Sequence, residues 1–139
     1  MQYKYFDHTA DVMFEAYGKD LEETFINSGL AMFNILTDIT KVKKNVSFKI
    51  TAEADKLEKL IFEFLDELIF LMDTEFVLIS GFENMKVIEN NGNYVLECTC
   101  LGDLASNYET HGDVKAPTYN QMKIKKNSEG YVFRIVVDI

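Results

Sequence analysis

The sequence predicts an α+β fold of two layers, with two main helices packed on one face of a largely antiparallel or mixed β-sheet. Three observations lead there. Two stretches repeat apolar residues at helical spacing, each behind an Asp-x-x-Glu pattern. Several other runs alternate apolar and polar residues. The dipeptide Asn91-Gly92 joins two of those runs in the manner of a tight hairpin. No linker or internal repeat interrupts the pattern, so residues 1–139 read as one domain.

Taken in order, residues 3–6 and 12–16 are extended, and in the second run Val12, Phe14 and Ala16 alternate with Met13, Glu15 and Tyr17. Gly18 breaks that run. Asp20 stands three residues before Glu23, the spacing of a capping box, and Leu21, Phe25, Ser28, Met32 and Leu36 then recur on one helical face over about 21–36. Val46, Phe48, Ile50 and Ala52 alternate with polar residues and predict a half-buried strand. Asp55 with Glu58 forms a second capping pattern. The helix behind it carries Leu57, Ile61, Phe64, Leu65, Leu68 and Met72 on one side. Leu60, Phe62, Ile69, Phe70 and Leu71 widen that apolar face, which predicts a central helix, and its polar residues reduce to Glu63, Asp66 and Glu67. Residues 76–79, 84–89 and 94–101 follow as strands, the last two joined at Asn91-Gly92, where positive φ is tolerated. After an irregular stretch over 102–112, residues 119–125 and 131–137 form a second hairpin around Ser128-Glu129-Gly130, and its last strand runs to the chain end.

The composition limits the partners. The 139 residues are 47% hydrophobic and 13% aromatic, which suits a globular core and not a disordered chain. The formal net charge is −9, which disfavours sequence-independent binding to nucleic acid or to an anionic membrane, and favours a metal cation or a basic protein. The most apolar stretch, 57–72, is broken by Glu63, Asp66 and Glu67 and does not suit a membrane span. No secretory leader is evident, and a cytoplasmic protein is expected. Cys98 and Cys100 fall on one strand face, read as small buried hydrophobes and by themselves make half a zinc site.

Nucleophilic catalysis has thin support. No phosphate-binding glycine loop or G-x-S-x-G elbow occurs, His8 and His111 are isolated, and no cations flank the cysteines. What remains is a set of carboxylates and one lysine. Asp11 closes the segment Asp7-His8-Thr9-Ala10-Asp11, which is a plain turn unless its carboxylates meet a partner. Asp138 stands beside the terminal carboxylate of Ile139, either a frayed, solvated end or an all-oxygen cluster suited to a hard divalent cation. Lys115 either reaches solvent or neutralises those carboxylates. Glu67 either lies on a solvated helix face or meets the same cluster.

His8-Thr9-Ala10-Asp11-Val12, Leu21-Glu22-Glu23-Thr24-Phe25, Phe64-Leu65-Asp66-Glu67-Leu68, Val114-Lys115-Ala116-Pro117-Thr118-Tyr119 and the terminal Val137-Asp138-Ile139, in that order, resemble the archease family over essentially the whole chain. Two positions depart from the family pattern: Pro117 stands where a β-branched residue is common, and Asn120 where a histidine often stands. Because Pro117 lacks a backbone donor, its strand is expected to begin at Thr118 or to lie at a sheet edge. The resemblance implies a non-enzymatic protein cofactor of an RtcB-type RNA ligase, acting in tRNA splicing and RNA repair. Such a protein promotes guanylylation and multiple turnover of the ligase. The resemblance further implies a divalent metal, calcium first with magnesium or manganese as alternatives, held by Asp11, Asp138 and Ile139. His8, Glu67 and Lys115 are then expected to support those ligands or touch the ligase. The ligase is the implied partner, without direct nucleic-acid or membrane contact, and the protein itself is expected to be a monomer or weak oligomer. Two other classes compete: a stand-alone metal-dependent phosphoesterase with His8 or His111 as base, and a chaperone-like binding module using the acidic surface.

Overall fold

Hydrogen bonding sorts the extended segments into two antiparallel sheets, and sequence neighbours stay together in each. The computed structural model describes residues 1–7 and 11–139. His8, Thr9 and Ala10 lie outside the described residues, and with them the role that the resemblance gives His8. The first sheet has the order β1-β2-β7-β6, from strands β1 (Tyr3–Phe6), β2 (Asp11–Gly18), β6 (Ala116–Asn127) and β7 (Gly130–Asp138). The second has the order β3-β5-β4, from β3 (Val46–Ala54), β4 (Val77–Asn90) and β5 (Asn93–Leu104). Helix α1 (Leu21–Asn34) packs on β2, β7 and β4, and helix α2 (Leu57–Glu75) on β6, β3, β5 and β4, so both helices bridge the sheets. The α+β expectation holds, with its strands divided between two sheets.

Local chemistry explains most boundaries. Asp20 caps α1 by accepting from the Glu23 backbone N–H at 2.8 Å. The Glu23 carboxylate reaches back to the Lys19 N–H at 2.9 Å, one residue before the cap. Helix α2 differs from its expected capping box. Its N-cap is Lys56, which makes no side-chain cap bond, because Asp55 falls one residue too early. The expected strands 76–79 and 84–89 are one strand, β4. Register shifts at Ile79/Gly81 and Glu83/Lys86, with Asn84 at φ 54°, lie between the two expected runs and carry one strand through them. Asn91 and Gly92 take φ of 53° and 80° at the tip of the β4–β5 hairpin, as the Asn-Gly signal requires. Strand β6 begins at Ala116 and so includes Pro117. It is an edge strand, with β7 on one side only, where a missing N–H breaks no ladder.

Phe25 of α1 sits at the centre of the core, edge-on to Phe64 of α2 at 5.7 Å and to Phe133 of β7 at 5.2 Å. Leu60, Ile61, Leu65 and Leu68 of α2 are fully buried around it, as a central helix demands. Phe70 is not part of that face: it is 65% exposed, three residues beyond Glu67 on the outer side. Cys98 and Cys100 are buried free thiols on the inner face of β5, and Cys98's hydrogen bond together with burial pushes the Cys100 thiol up, away from thiolate chemistry.

A buried carboxylate ties the end of β5 to two loops. Asp103 is 5% exposed and accepts from the Tyr108 hydroxyl at 2.7 Å and from the amides of Asn45 and Asn107 at 3.4 Å. The Tyr108 oxygen in turn accepts from the Lys43 N–H at 2.8 Å. The Tyr108 hydroxyl, with help from the Leu104 N–H and the two amides, holds the Asp103 carboxyl below its ordinary 3.8. A depressed carboxyl stabilises the fold above its unfolded value, and that contribution disappears as pH falls through the lower folded value. Asp103→Ala is therefore expected to lower the urea midpoint clearly at neutral pH. The gap to the parent protein should narrow well below pH 3.8. A gap independent of pH would mean that the charge of Asp103 contributes nothing.

Candidate functional site at the paired ends of β2 and β7

Strand β7 lies between β2 and β6, so its last residue has a neighbour on each side. The register places Asp11 directly opposite Asp138, and Ala116 of β6 opposite Asp138 on the other flank. The Lys115 N–H donates to the Asp138 carbonyl at 2.8 Å, which extends the pairing one residue past β6. The end of β7 is thus held from both sides, unlike a frayed terminus.

Alternation decides which way the two aspartates face. Phe14 and Ala16 of β2 and Phe133, Ile135 and Val137 of β7 are buried against the helices. Asp11, Met13 and Glu15, with Arg134 and Asp138, take the opposite face. Two rungs of that face differ in charge. Glu15 is opposite Arg134, whose Nε and Nη2 donate to Glu15 Oε2 at 3.2 and 3.1 Å. Four residues along each strand, Asp11 is opposite Asp138, and here the register brings like charges together. Cβ atoms of directly opposed residues lie about 5 Å apart, a separation at which two carboxylates repel. Ile139, a residue 45% exposed, follows immediately. Sequence-distant carboxylates therefore converge at one sheet end, and their oxygen donors suit a hard divalent cation such as calcium, magnesium or manganese.

The other expected residues are placed less tightly. Lys115 adjoins Asp138 through its backbone, and its side chain is exposed. Glu67 is exposed on α2, and among the described residues no ion pair joins it to Lys115. His111 is exposed, and its N–H donates to the Leu36 carbonyl at 2.9 Å, tying its loop to the chain just beyond α1. Among the described residues no three His, Cys, Asp or Glu side chains gather as a group that could hold a metal ion. The sequence reading missed the outward Phe70 and the stack of Phe62 on Tyr119, whose ring centroids are 4.4 Å apart. The available signal was helical spacing: Phe70 follows Glu63 by seven residues and Glu67 by three, the same side of α2.

The family model described as the archease protein family matches residues 3–139. A curated relative named protein archease, from Methanosarcina barkeri, is 40% identical over 142 residues, covering 99% of this chain and 96% of its own. The solution structure of protein 1598 from Methanobacterium thermoautotrophicum is similar over 99% of both chains, with a TM-score of 0.87 and 35% identity. A crystal structure from Thermotoga maritima, described as an archease and possible chaperone, shares the fold at a TM-score of 0.58 and 17% identity. It covers 98% of this chain and 96% of that one.

Proposed function

This chain belongs to the archease family, and from that premise we propose that it is a non-enzymatic cofactor of an RtcB-type RNA ligase in tRNA splicing and RNA repair. It promotes guanylylation of the ligase and its multiple turnover. The observation that carries the reading is the like-charged rung Asp11–Asp138, set on the same face as the oppositely charged rung Glu15–Arg134. A rung that opposes two carboxylates, on a face that matches charges elsewhere, supports a cation site there. Asp11, Asp138 and the Ile139 carboxylate would hold a divalent metal, calcium by family resemblance. A metal held there would supply positive charge that can compensate a phosphate. The protein's own part is positional. The Lys115–Asp138 backbone bond and the flanking strands fix the two aspartates, so that the sheet end meets the ligase as a preset acidic tip. Lys115 and Glu67, both exposed, are contacts for the partner or supports for the tip.

The test mixes the protein with its cognate ligase, GTP and a divalent metal and follows covalent guanylylation of the ligase. Stimulation is expected. If none occurs, the cofactor reading fails, and phosphate release by this protein alone, or its suppression of aggregation in unrelated proteins, decides between the phosphoesterase and chaperone readings. The terminal carboxylate gives a second expected result. Extending the chain beyond Ile139 removes one of three negative groups from the cluster, so calcium affinity by calorimetry and stimulation of the ligase should both fall. Full stimulation by the extended chain would remove Ile139 from the site.

A further inference from the structure

Helices α1 and α2 lie on the face of the sheet β1-β2-β7-β6 where Phe14, Ala16, Phe133 and Ile135 are buried. The register orders the opposite face into rows that cross the strands. Beyond the rung Asp11–Asp138 comes a mostly apolar row of Phe6, Met13, Val136 and Thr118. The next row is cationic, with Lys4, Glu15, Arg134 and Lys123, and Tyr17, Val132 and Lys125 follow it. Val136 is buried, Phe6, Met13, Tyr17 and Val132 are half-buried, and Lys4, Lys123 and Lys125 are exposed. Two adjacent rows thus gather Lys4, Arg134, Lys123 and Lys125 around a single carboxylate. Both oxygens of that carboxylate are taken: Glu15 Oε2 accepts from Arg134 at 3.1 and 3.2 Å, and Oε1 from the Tyr17 hydroxyl at 3.1 Å. Among the described residues no ion pair engages Lys4, Lys123 or Lys125. At the end of this face away from Asp138, Tyr17 and Val132 wall a cavity of about 390 Å³, with Lys19, Asn127 and Tyr131 on its other sides. Its carboxylates are Glu129 and Glu23, the second already accepting from the Lys19 N–H at 2.9 Å.

The net charge of −9 disfavours nucleic acid only as a sum over the whole surface. Phosphate contacts depend on where cations cluster, and base contacts on rings beside them. Both occur on this face, and RNA-recognition modules use the open side of a four-stranded sheet in the same way. The cavity falls within the range of roughly 300–1,000 Å³ that takes a small ligand, which suits one base. We propose that the open face of the four-stranded sheet binds single-stranded RNA, with phosphates on Lys4, Arg134, Lys123 and Lys125 and a base in the cavity beside Tyr17. An acidic protein would meet the same cations but leave the aromatic-walled cavity unused, so RNA is the better occupant. This activity belongs to the chain itself and does not depend on the ligase reading.

The test titrates the full chain alone into a fluorescent oligouridylate of about ten nucleotides and reads anisotropy at several salt concentrations. Wild type is expected to bind with a Kd on the order of 10⁻⁴–10⁻⁶ M, weakening as salt rises. Lys123→Glu with Lys125→Glu should weaken Kd at least about tenfold and flatten the salt dependence. Tyr17→Ala should weaken it about fivefold or more, with melting curves to confirm that the variant is folded. Lys49→Glu with Lys86→Glu is the control, because these exposed lysines of β3 and β4 lie on the other sheet and the change in net charge is the same. This pair should weaken Kd by less than about threefold. Wild type that does not bind at low salt, or equal losses from the two lysine pairs, overturns the proposal. So does polyglutamate bound as tightly as the oligouridylate, which would assign the face to an acidic protein. A folded Tyr17→Ala variant with full affinity would overturn the placement of a base in the cavity.

Discussion

Asp138→Ala and Asp11→Ala are each expected to abolish both stimulation of guanylylation and the gain in heat stability that a divalent metal gives. The two effects share one cause, the loss of a carboxylate from the rung where the strands oppose Asp11 and Asp138. A metal at about 100 times its Kd stabilises the native state by roughly 2.7 kcal/mol, and a variant without a site gains none of it. Loss of a residue that merely supports a ligand costs about 10–100-fold in metal affinity, so loss of a carboxylate that binds the ion directly should exceed that. Melting curves with chelator and with calcium, run beside guanylylation assays, read both arms. Glu15→Ala is the control on the same face. It breaks the Arg134 pair and should lower stability by less than about 1 kcal/mol, with metal response and stimulation intact. Stimulation that survives loss of both aspartates would keep the partner and discard the site.

The sequence carried the elements further than their arrangement. Alternation in β2 and β7 and helical spacing in α1 and α2 are local, and each survives in the structure because one face of every element is buried. The Asn91-Gly92 turn was legible for the same reason, since its backbone demands are met within two residues. The rung that matters was not legible. Asp11 and Asp138 are neighbours only because β7 returns antiparallel to β2 with no register shift between them, and no local pattern encodes a pairing across the chain. The residues alone marked Asp11 and Asp138 as separate candidates, and only the family resemblance joined them in one site. Phe70 was misplaced for another reason. Counting apolar residues widened the buried face of α2, whereas the angular position of Phe70 among Glu63, Asp66 and Glu67 points it outward. The split of the strands into two sheets was equally hidden, because it depends on which edges pair and not on which runs are extended.

Phe25→Ala should be the most damaging single change in the core, costing about 3–5 kcal/mol. Phe25 is fully buried and meets Phe64 and Phe133 edge-on, at 5.7 and 5.2 Å, so one side chain joins α1 to α2 and to β7. Truncation leaves a cavity walled by two rings that cannot both move inward, and it forfeits the favourable edge-to-face pairs as well. Domains of this kind hold about 5–15 kcal/mol in total, so the loss takes a large share of the margin, and the urea midpoint should fall steeply. Phe25→Leu keeps more of the volume and should recover part of the loss. The functional consequence follows from Phe133, which lies on the strand that ends in Asp138. At a temperature where Phe25→Ala is still folded, calcium affinity and stimulation per folded molecule should match wild type, because the β2–β7 register is set by the ladder and not by the ring. A folded variant that binds calcium weakly would show instead that the core positions the acidic tip. A variant within about 1 kcal/mol of wild type would show that the three rings are not the centre of the fold.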